Sequence, residues 1–428
     1  MTETIQSVVA HVDQQAMQKL ADTLEIEAKK KAQKTAILSL DERVKLKLKE
    51  RARIEASARF SASYQKYKTI SLTDSLALRK ILFGQLMVPK EIDWCRESFI
   101  FHIHNYGLPF GLKIHKNGPC GVIAVVQAFV LRHLIFDEDD ENNYKRLKAV
   151  NERERQNALA LALADILWIA GEESKTAIVL LPPDDDRSKP IGASQVRLND
   201  MTEDGILYQF NAFNDLRDFI KKKLPIFQHE FGYGVAFFLY SVILSRGIEN
   251  IRNDMDDPEK ILLTENERCS QELINLLLVG KAVSYVFNGI LDYDYKLRKP
   301  LQQPLFGIDK RGVVGLLTLM EHVAEGNYTV GSKLKTPKYP IWVVNIELSF
   351  AVIFSCKRDL LNDWKAERQF HLWYYTGLVS QTELQRIHID TLQTYMPKNK
   401  DNVEPLINHC LRTKWSGVKI SSHSSISK

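Results

Sequence analysis

The residue best suited to chemistry in this sequence is Cys120, in the segment HKNGPCGV (115–122). An Asn-Gly-Pro-Cys turn runs directly into the apolar stretch IAVVQAFVLRHLIF and therefore places the thiol at a helix N-terminus. Backbone N–H groups and the positive end of the helix dipole favour the thiolate there, and this lowers the pKa of a thiol. The same N–H groups can hold a developing oxyanion. The pattern is typical of a cysteine hydrolase, although a cysteine that only packs at the start of a buried helix fits it too.

Composition limits the classes of protein to consider. The 428 residues are 45% hydrophobic with a net charge of +5, and helical and strand-like patterns together favour a mixed α and β fold. Nucleic acid is not expected as a partner, because no basic patch is interleaved with aromatic residues. Five cysteines without a CxxC pair predict free thiols in a reducing compartment. We find neither a signal peptide nor an apolar run of about 18 residues, so a cytoplasmic or nuclear protein without a membrane segment is expected.

The chain divides by composition into three predicted segments. Residues 25–59 are mostly charged or small and contain no Gly or Pro, so residues 1–70 are predicted to be a charged arm, helical or disordered. The folded domain is predicted over residues 71–420. The Ser-rich end, residues 421–428, is predicted to be a disordered tail.

The elements that must position Cys120 follow from hydrophobic periodicity. Strands are predicted over 176–183 and, as a strand-turn-strand unit, over 336–355. Helices are predicted over 71–84, 120–136, 157–171, 234–247, 270–287 and 312–325. The helix that begins at Cys120 is the most apolar of these, so it is expected to be mostly buried.

Several blocks of the sequence resemble the MINDY family of deubiquitinases, in the branch that contains its third and fourth members. NGPCGVIAVVQAFVLRHLIF is similar to the family's Gly-Gly-Pro-Cys helix. Further similar blocks follow in the family's order, namely LVGKAVSYVFNG (278–289), GIDKRGVVGLLTLMEH (307–322), PKYPIWVVNIELSFAVIF (337–354) and WYYTGL (373–378). The similarity covers roughly residues 75–420 and leaves the charged arm outside.

The resemblance implies a papain-like α+β cysteine protease fold with a central β region and several buried helices. It also implies ubiquitin or polyubiquitin chains as the partner and an isopeptide bond as the substrate. We expect neither a cofactor nor a metal. In active members the cysteine attacks the carbonyl, and a histidine takes the thiol proton and passes it to the leaving amine. A glutamine six residues before the cysteine helps to stabilise the oxyanion.

This sequence keeps one of those three residues. The nucleophile position falls on Cys120, the oxyanion glutamine position on Ile114, and the histidine position on Ser349. A serine cannot act as base and then acid near neutral pH, and losing that catalysis costs about 10²–10⁴ in rate. Losing an oxyanion donor costs on the order of 10²–10³. We therefore predict an inactive pseudo-deubiquitinase, most like the branch's catalytically inactive paralogue.

Other interpretations stay open at this point. The protein could be a weakly active deubiquitinase of proteasome-targeting polyubiquitin in which His115, His371 or His388 replaces the missing base. Cys120 and His115 could form a redox or metal site, but two ligands alone do not complete one. The acidic run Asp184–Asp186 could bind a cation, and a solvated acidic loop is the simpler interpretation.

Overall fold

A computed structural model describes residues 67–84, 97–102, 107–114, 118–137, 143–172, 174–183, 198–230, 232–264, 268–294, 298–324, 328–396 and 404–423. These residues belong to a compact unit over residues 66–428. The predicted charged arm lies outside the described residues as far as residue 66. Helices and sheets are both present, which confirms the mixed α+β class.

The described residues contain short and long helices and three sheets. The helices are α1 (Leu72–Phe83), α2 (Cys120–Phe136), α3 (Asn143–Lys148), α4 (Glu152–Ala170), α5 (Leu198–Glu203), α6 (Phe213–Gln228), α7 (Gly234–Arg246), α8 (Ile248–Asp254), α9 (Gln271–Val279), α10 (Leu319–Val323), α11 (Ser332–Lys335) and α12 (Leu406–Arg412). The strands are β1 (Tyr67–Thr69), β2 (Ala177–Leu181), β3 (Ile206–Phe210), β4 (Ile290–Asp294), β5 (Lys299–Phe306), β6 (Gly315–Thr318), β7 (Ile341–Ile346), β8 (Ser349–Phe354), β9 (Gln369–Tyr375), β10 (Gln385–Thr394) and β11 (Val418–His423).

The largest sheet forms the central β region, with strand order β11-β10-β9-β8-β7-β6. Only the β6–β7 pair is parallel, and the other neighbours are antiparallel. Helix α2 packs across β7 and β8 on one side and against α4 and α9 on the other. The hydrophobic core therefore surrounds the helix that begins at Cys120.

Burial explains why α2 is apolar on every side. All of its residues except Arg132 and Phe136 are buried. Its one buried amide, Gln127, accepts a hydrogen bond from the Leu112 N–H at 2.6 Å. This bond joins α2 to the residues before it, which satisfies a polar group that burial would otherwise leave unpaired.

A second polar contact joins α2 to α4 near the far end of α2. The His133 ring places Nδ1 2.7 Å from Asp137 Oδ2 and Nε2 2.9 Å from Asp165 Oδ2. Burial alone would lower the pKa of His133, but the two hydrogen-bonded carboxylates outweigh burial and raise it. The protonated imidazole is thus the form that the folded protein stabilises.

Two predicted helices are wrong in part. The helix predicted over 270–287 ends at Val279, where Gly280 adopts a left-handed conformation with φ 80°. Asn275 instead donates to the carbonyls of Val283 and Tyr285, so its side chain holds the irregular segment after the helix. The helix predicted over 312–325 is the buried strand β6 followed by α10, which the Thr318 side chain caps. A short apolar run does not distinguish a buried strand from a helix until its pairing is known.

Both predicted ends of the domain need correction. Strand β1 pairs with β3, and Ile70 is buried, so the folded body begins before the predicted residue 71. Strand β11 pairs with β10 through His423, although residues 421–423 were assigned to a disordered tail. Both strands are short and partly polar, and their order depends on pairing with distant strands. Residues 424–428 lie outside the described residues.

No single helix of the described residues is long and apolar enough to cross a membrane. Helices α7 and α8 meet that test of length and composition only together, as a pair bent by 79°. Nearly every residue of α7 is buried within the protein.

Candidate functional site

Cys120 is the first residue of α2, as the sequence predicted. The preceding turn is tight, because the Cys120 N–H donates to the Gly118 carbonyl at 2.7 Å. Pro119 is the N-cap and supplies no side-chain cap, so the N–H groups of the first turn are not occupied by a capping side chain. The local sequence therefore brings the thiol to a helix start.

The Cys120 thiol lies against the hairpin formed by β7 and β8. Its sulfur is 3.9 Å from the Leu348 carbonyl oxygen, which accepts the thiol hydrogen. The backbone N–H groups of Phe350 and Gly121 also lie beside the sulfur. The same strand pair that carries the predicted histidine position therefore reaches the predicted nucleophile position.

The ionisation of Cys120 differs from the sequence prediction. Cys120 is only 8% exposed, and burial raises the pKa of its thiol above the ordinary value. The N–H groups of Phe350 and Gly121 and the charge of Arg268 act in the opposite direction without reversing the shift. The helix start does favour the thiolate, but desolvation by the surrounding core is the larger effect. The thiol is therefore protonated at neutral pH.

Ser349 is the first residue of β8 and follows the turn formed by Glu347 and Leu348. Its side chain is exposed, whereas the next residue, Phe350, points into the protein. In the described part of the chain, the Ser349 hydroxyl makes no hydrogen bond with the Cys120 thiol. Ser349 is thus near Cys120 through its backbone, and its side chain supplies no group that titrates near pH 7.

Ile114 is buried, with 2% of its surface exposed. Its N–H donates to the Gly377 carbonyl at 2.9 Å. A Cβ atom at Gly377, which has φ 71°, would lie 2.4 Å from Ile114 Cγ1. His102 Nε2 lies 3.1 Å from the same Gly377 oxygen. Ile114 therefore packs against the loop after β9 and has no side-chain donor to offer an oxyanion.

The alternative histidines on the sheet lie far from Cys120. His371 on β9 and His388 on β10 face each other, with their Nδ1 atoms 3.2 Å apart. The register pairs Val352 with Tyr375. His371 therefore lies about 20 Å from Phe350 along the strands, at 3.3 Å per residue. Across the described ranges, no histidine ring hydrogen-bonds to the Cys120 thiol.

Two of the open alternatives fall where the structure describes nothing. His115 and the acidic run 184–186 lie outside the described residues. Among the residues that are described, no group of three or more His, Cys, Asp or Glu side chains could hold a metal ion.

A second thiol beside Cys120 was not identified from the sequence. A Cβ atom built on Gly121 would lie 3.0 Å from the Cys269 Sγ atom. The N–H groups of Val122 and Gly121 lie beside this sulfur, and burial raises the pKa of Cys269 to about 12. Cys269 is far from Cys120 in the sequence. The only sequence signal for the contact is Gly121, whose missing side chain indicates close packing at the first turn of α2.

Comparisons with known proteins identify the family that this chain resembles. The family described as "Deubiquitinating enzyme MINDY-3/4, conserved domain" matches residues 79–424. "Probable ubiquitin carboxyl-terminal hydrolase MINDY-4" of Xenopus tropicalis is 38% identical over 354 residues, which cover 82% of this chain and 46% of that protein. The protein of the same description in Bos taurus is 40% identical over 356 residues, covering 83% and 45%.

A second group of relatives is less similar. "Ubiquitin carboxyl-terminal hydrolase MINDY-3" of Homo sapiens is 34% identical over 266 residues, which cover 57% of this chain and 56% of that protein. The chain spans about half the length of the curated relatives it matches. No solved structure matches it.

Proposed function

Because this chain belongs to the MINDY-3/4 family of deubiquitinating enzymes, we propose that it is a pseudo-deubiquitinase that keeps the nucleophile-position cysteine without catalysing hydrolysis. The observation that carries this proposal is the hairpin at Cys120. The thiol contacts Leu348 and Phe350 through backbone groups, and the exposed side chain between them is Ser349.

The first argument concerns the missing base. A thiol whose pKa is raised by burial needs a neighbouring base to become a nucleophile at neutral pH. No described histidine ring hydrogen-bonds to Cys120, and Ser349 cannot take its proton. A thiol without that base attacks a carbonyl slowly, because the thiolate is the reactive form.

The second argument concerns the oxyanion. The N–H groups of Phe350 and Gly121 lie beside the sulfur, but the glutamine position is the buried Ile114, which has no side-chain donor. Ile114 packs tightly against Gly377, because a Cβ atom on that glycine would lie 2.4 Å from Ile114 Cγ1. Both losses act on the same step, so their costs need not multiply.

We also propose that ubiquitin or polyubiquitin remains the partner, in a cytoplasmic or nuclear compartment. The names of the relatives describe ubiquitin hydrolases. Leu348 and Val379 are 54% and 65% exposed. Leu348 borders Cys120, and Val379 follows the loop that packs on Ile114. They offer apolar surface beside the site, and an apolar patch is what a protein partner with an apolar face requires.

The test compares three proteins against long polyubiquitin chains of the proteasome-targeting linkage and against a ubiquitin probe that alkylates active-site thiols. The proteins are the natural sequence, Cys120→Ala, and Ile114→Gln with Ser349→His. We expect no cleavage by the first two proteins. Chain cleavage by the natural sequence that disappears in Cys120→Ala would contradict the proposal and support the weakly active alternative. Ubiquitin binding is measured separately with Cys120→Ala, because binding and turnover are independent claims.

A further inference from the structure

Two sulfur atoms lie at the first turn of α2. Cys120 begins the helix, and Gly121 follows it with no side chain. A Cβ atom at Gly121 would lie 3.0 Å from Cys269 Sγ and 3.2 Å from Cys269 Cβ. The missing side chain is therefore what allows Cys269 to lie against the residue next to Cys120.

Both sulfurs lie beside the same backbone group. The Gly121 N–H favours the thiolate of Cys120 and also that of Cys269. A negative charge on Cys120 in turn disfavours ionisation of Cys269, as expected for close groups. The segment that carries Cys269 is held in place, because Cys269 pairs with Leu263 in a β-bridge and Ser270 caps α9.

We propose that Cys120 and Cys269 are an oxidation site that forms a reversible disulfide when the protein meets a hydroperoxide. Cys120 is the thiol oxidised first and Cys269 is the resolving thiol. This goes beyond the proposed function, because the bridge forms whether or not Cys120 ever attacks ubiquitin.

The chemistry balances with hydrogen peroxide as the oxidant. The Cys120 sulfur attacks one peroxide oxygen and the O–O bond breaks, which gives Cys120 sulfenic acid and one water. The Cys269 sulfur then attacks the sulfenic sulfur, the S–O bond breaks, and a second water leaves as the S–S bond forms. Two electrons pass from the two sulfurs to the peroxide, and both thiol protons end in water.

The order of the two thiols follows from their surroundings. Burial raises the pKa of Cys269 to about 12. Burial also raises the pKa of Cys120, but the Arg268 charge opposes it there, whereas a negative charge on Cys120 raises the pKa of Cys269 further. Cys120 is therefore the thiol that ionises more readily and reacts first. Since the thiolate is the attacking form, the rate of bridge formation rises with pH.

The experiment treats the folded full chain with hydrogen peroxide, blocks free thiols, and maps disulfides by digestion without reductant. We expect a peptide linking Cys120 to Cys269, a fall from five free thiols to three, and recovery of all five with dithiothreitol. The link forms at any protein concentration, because it is intramolecular. The oxidised protein also loses reaction of Cys120 with a thiol-alkylating reagent.

Cys269→Ala and Cys356→Ala form a matched pair of variants. Cys356 is also partly exposed, and burial raises its pKa to about 12. Cys356 follows the end of β8 that is opposite Phe350. It therefore lies about 20 Å from Phe350, at 3.3 Å per residue. Cys356→Ala should keep the bridge, whereas Cys269→Ala should lose it and accumulate Cys120 sulfinic acid.

Three results would overturn the proposal. They are retention of all five thiols in the treated natural sequence, a bridge from Cys120 to another cysteine, and Cys120 sulfinic acid forming as fast in the natural sequence as in Cys269→Ala. If Cys269→Ala does not fold, the disulfide map of the natural sequence decides the question.

Discussion

The double variant Ile114→Gln with Ser349→His restores the residue types of the active members. Of its two substitutions, Ile114→Gln should destabilise the protein strongly. Ile114 is 2% exposed and packs against Gly377. Losing a buried aliphatic side chain costs about 1.5–3 kcal/mol. Burying an amide without a partner costs about 1–3 kcal/mol more. Together Ile114→Gln should lower the free energy of unfolding by about 2.5–6 kcal/mol, a large part of the 5–15 kcal/mol typical of a folded domain.

The other substitution, Ser349→His, should leave the stability nearly unchanged. Ser349 is exposed at the start of β8, and surface substitutions usually stay within about 0.5 kcal/mol. Urea unfolding followed by circular dichroism measures both variants, with Ile114→Val as the control at about 0.5–1.5 kcal/mol. The reasoning about Ile114 fails if Ile114→Gln is no less stable than Ile114→Val. The result also shows whether the double variant is folded. If it is folded and inactive, its inactivity is a property of the site and not of a loss of structure.

Three further predictions concern α2. Gly121→Ala adds a Cβ atom 2.8 Å from Ile274 Cδ1, so thermal unfolding should show a loss of about 1–3 kcal/mol, and Ile274→Val in the same protein should recover part of it. A loss that is simply the sum of the two single changes would argue against the contact. Removing the Gln127 amide with Gln127→Leu should cost about 1–3 kcal/mol in urea unfolding, because a buried N–H loses its acceptor. His133 has a raised pKa, so its stabilising effect is complete below its unfolded pKa near 6.5 and is lost as the pH rises through the folded value. His133→Gln should therefore flatten the fall in unfolding free energy above pH 6.5, and an unchanged pH profile would refute the role of the Asp165 contact.

Local patterns predicted the elements that local forces control. Helix α2 was predicted with both ends correct, because an unbroken apolar run follows a tight turn. The β7–β8 hairpin was also predicted, since two apolar strands flank a short turn. The prediction of a helix over 312–325 was wrong, because β6 is identified as a strand only by its parallel pairing with β7. Strands β1 and β11 were not predicted for the same reason, because only pairing with β3 and β10 identifies them as strands.

The sequence by itself determined which side chains occupy the site. The identities of Cys120, Ile114 and Ser349 and their spacing are facts of the covalent chain. Only the tertiary structure decided how Cys120 behaves, because the desolvation that raises its pKa comes from core residues throughout the fold. The same packing brings Cys269 to the first turn of α2 and leaves His371 at the far end of the sheet. The distance between two side chains and the burial of a thiol depend on how the whole chain packs. Spacing along the sequence does not specify either of them.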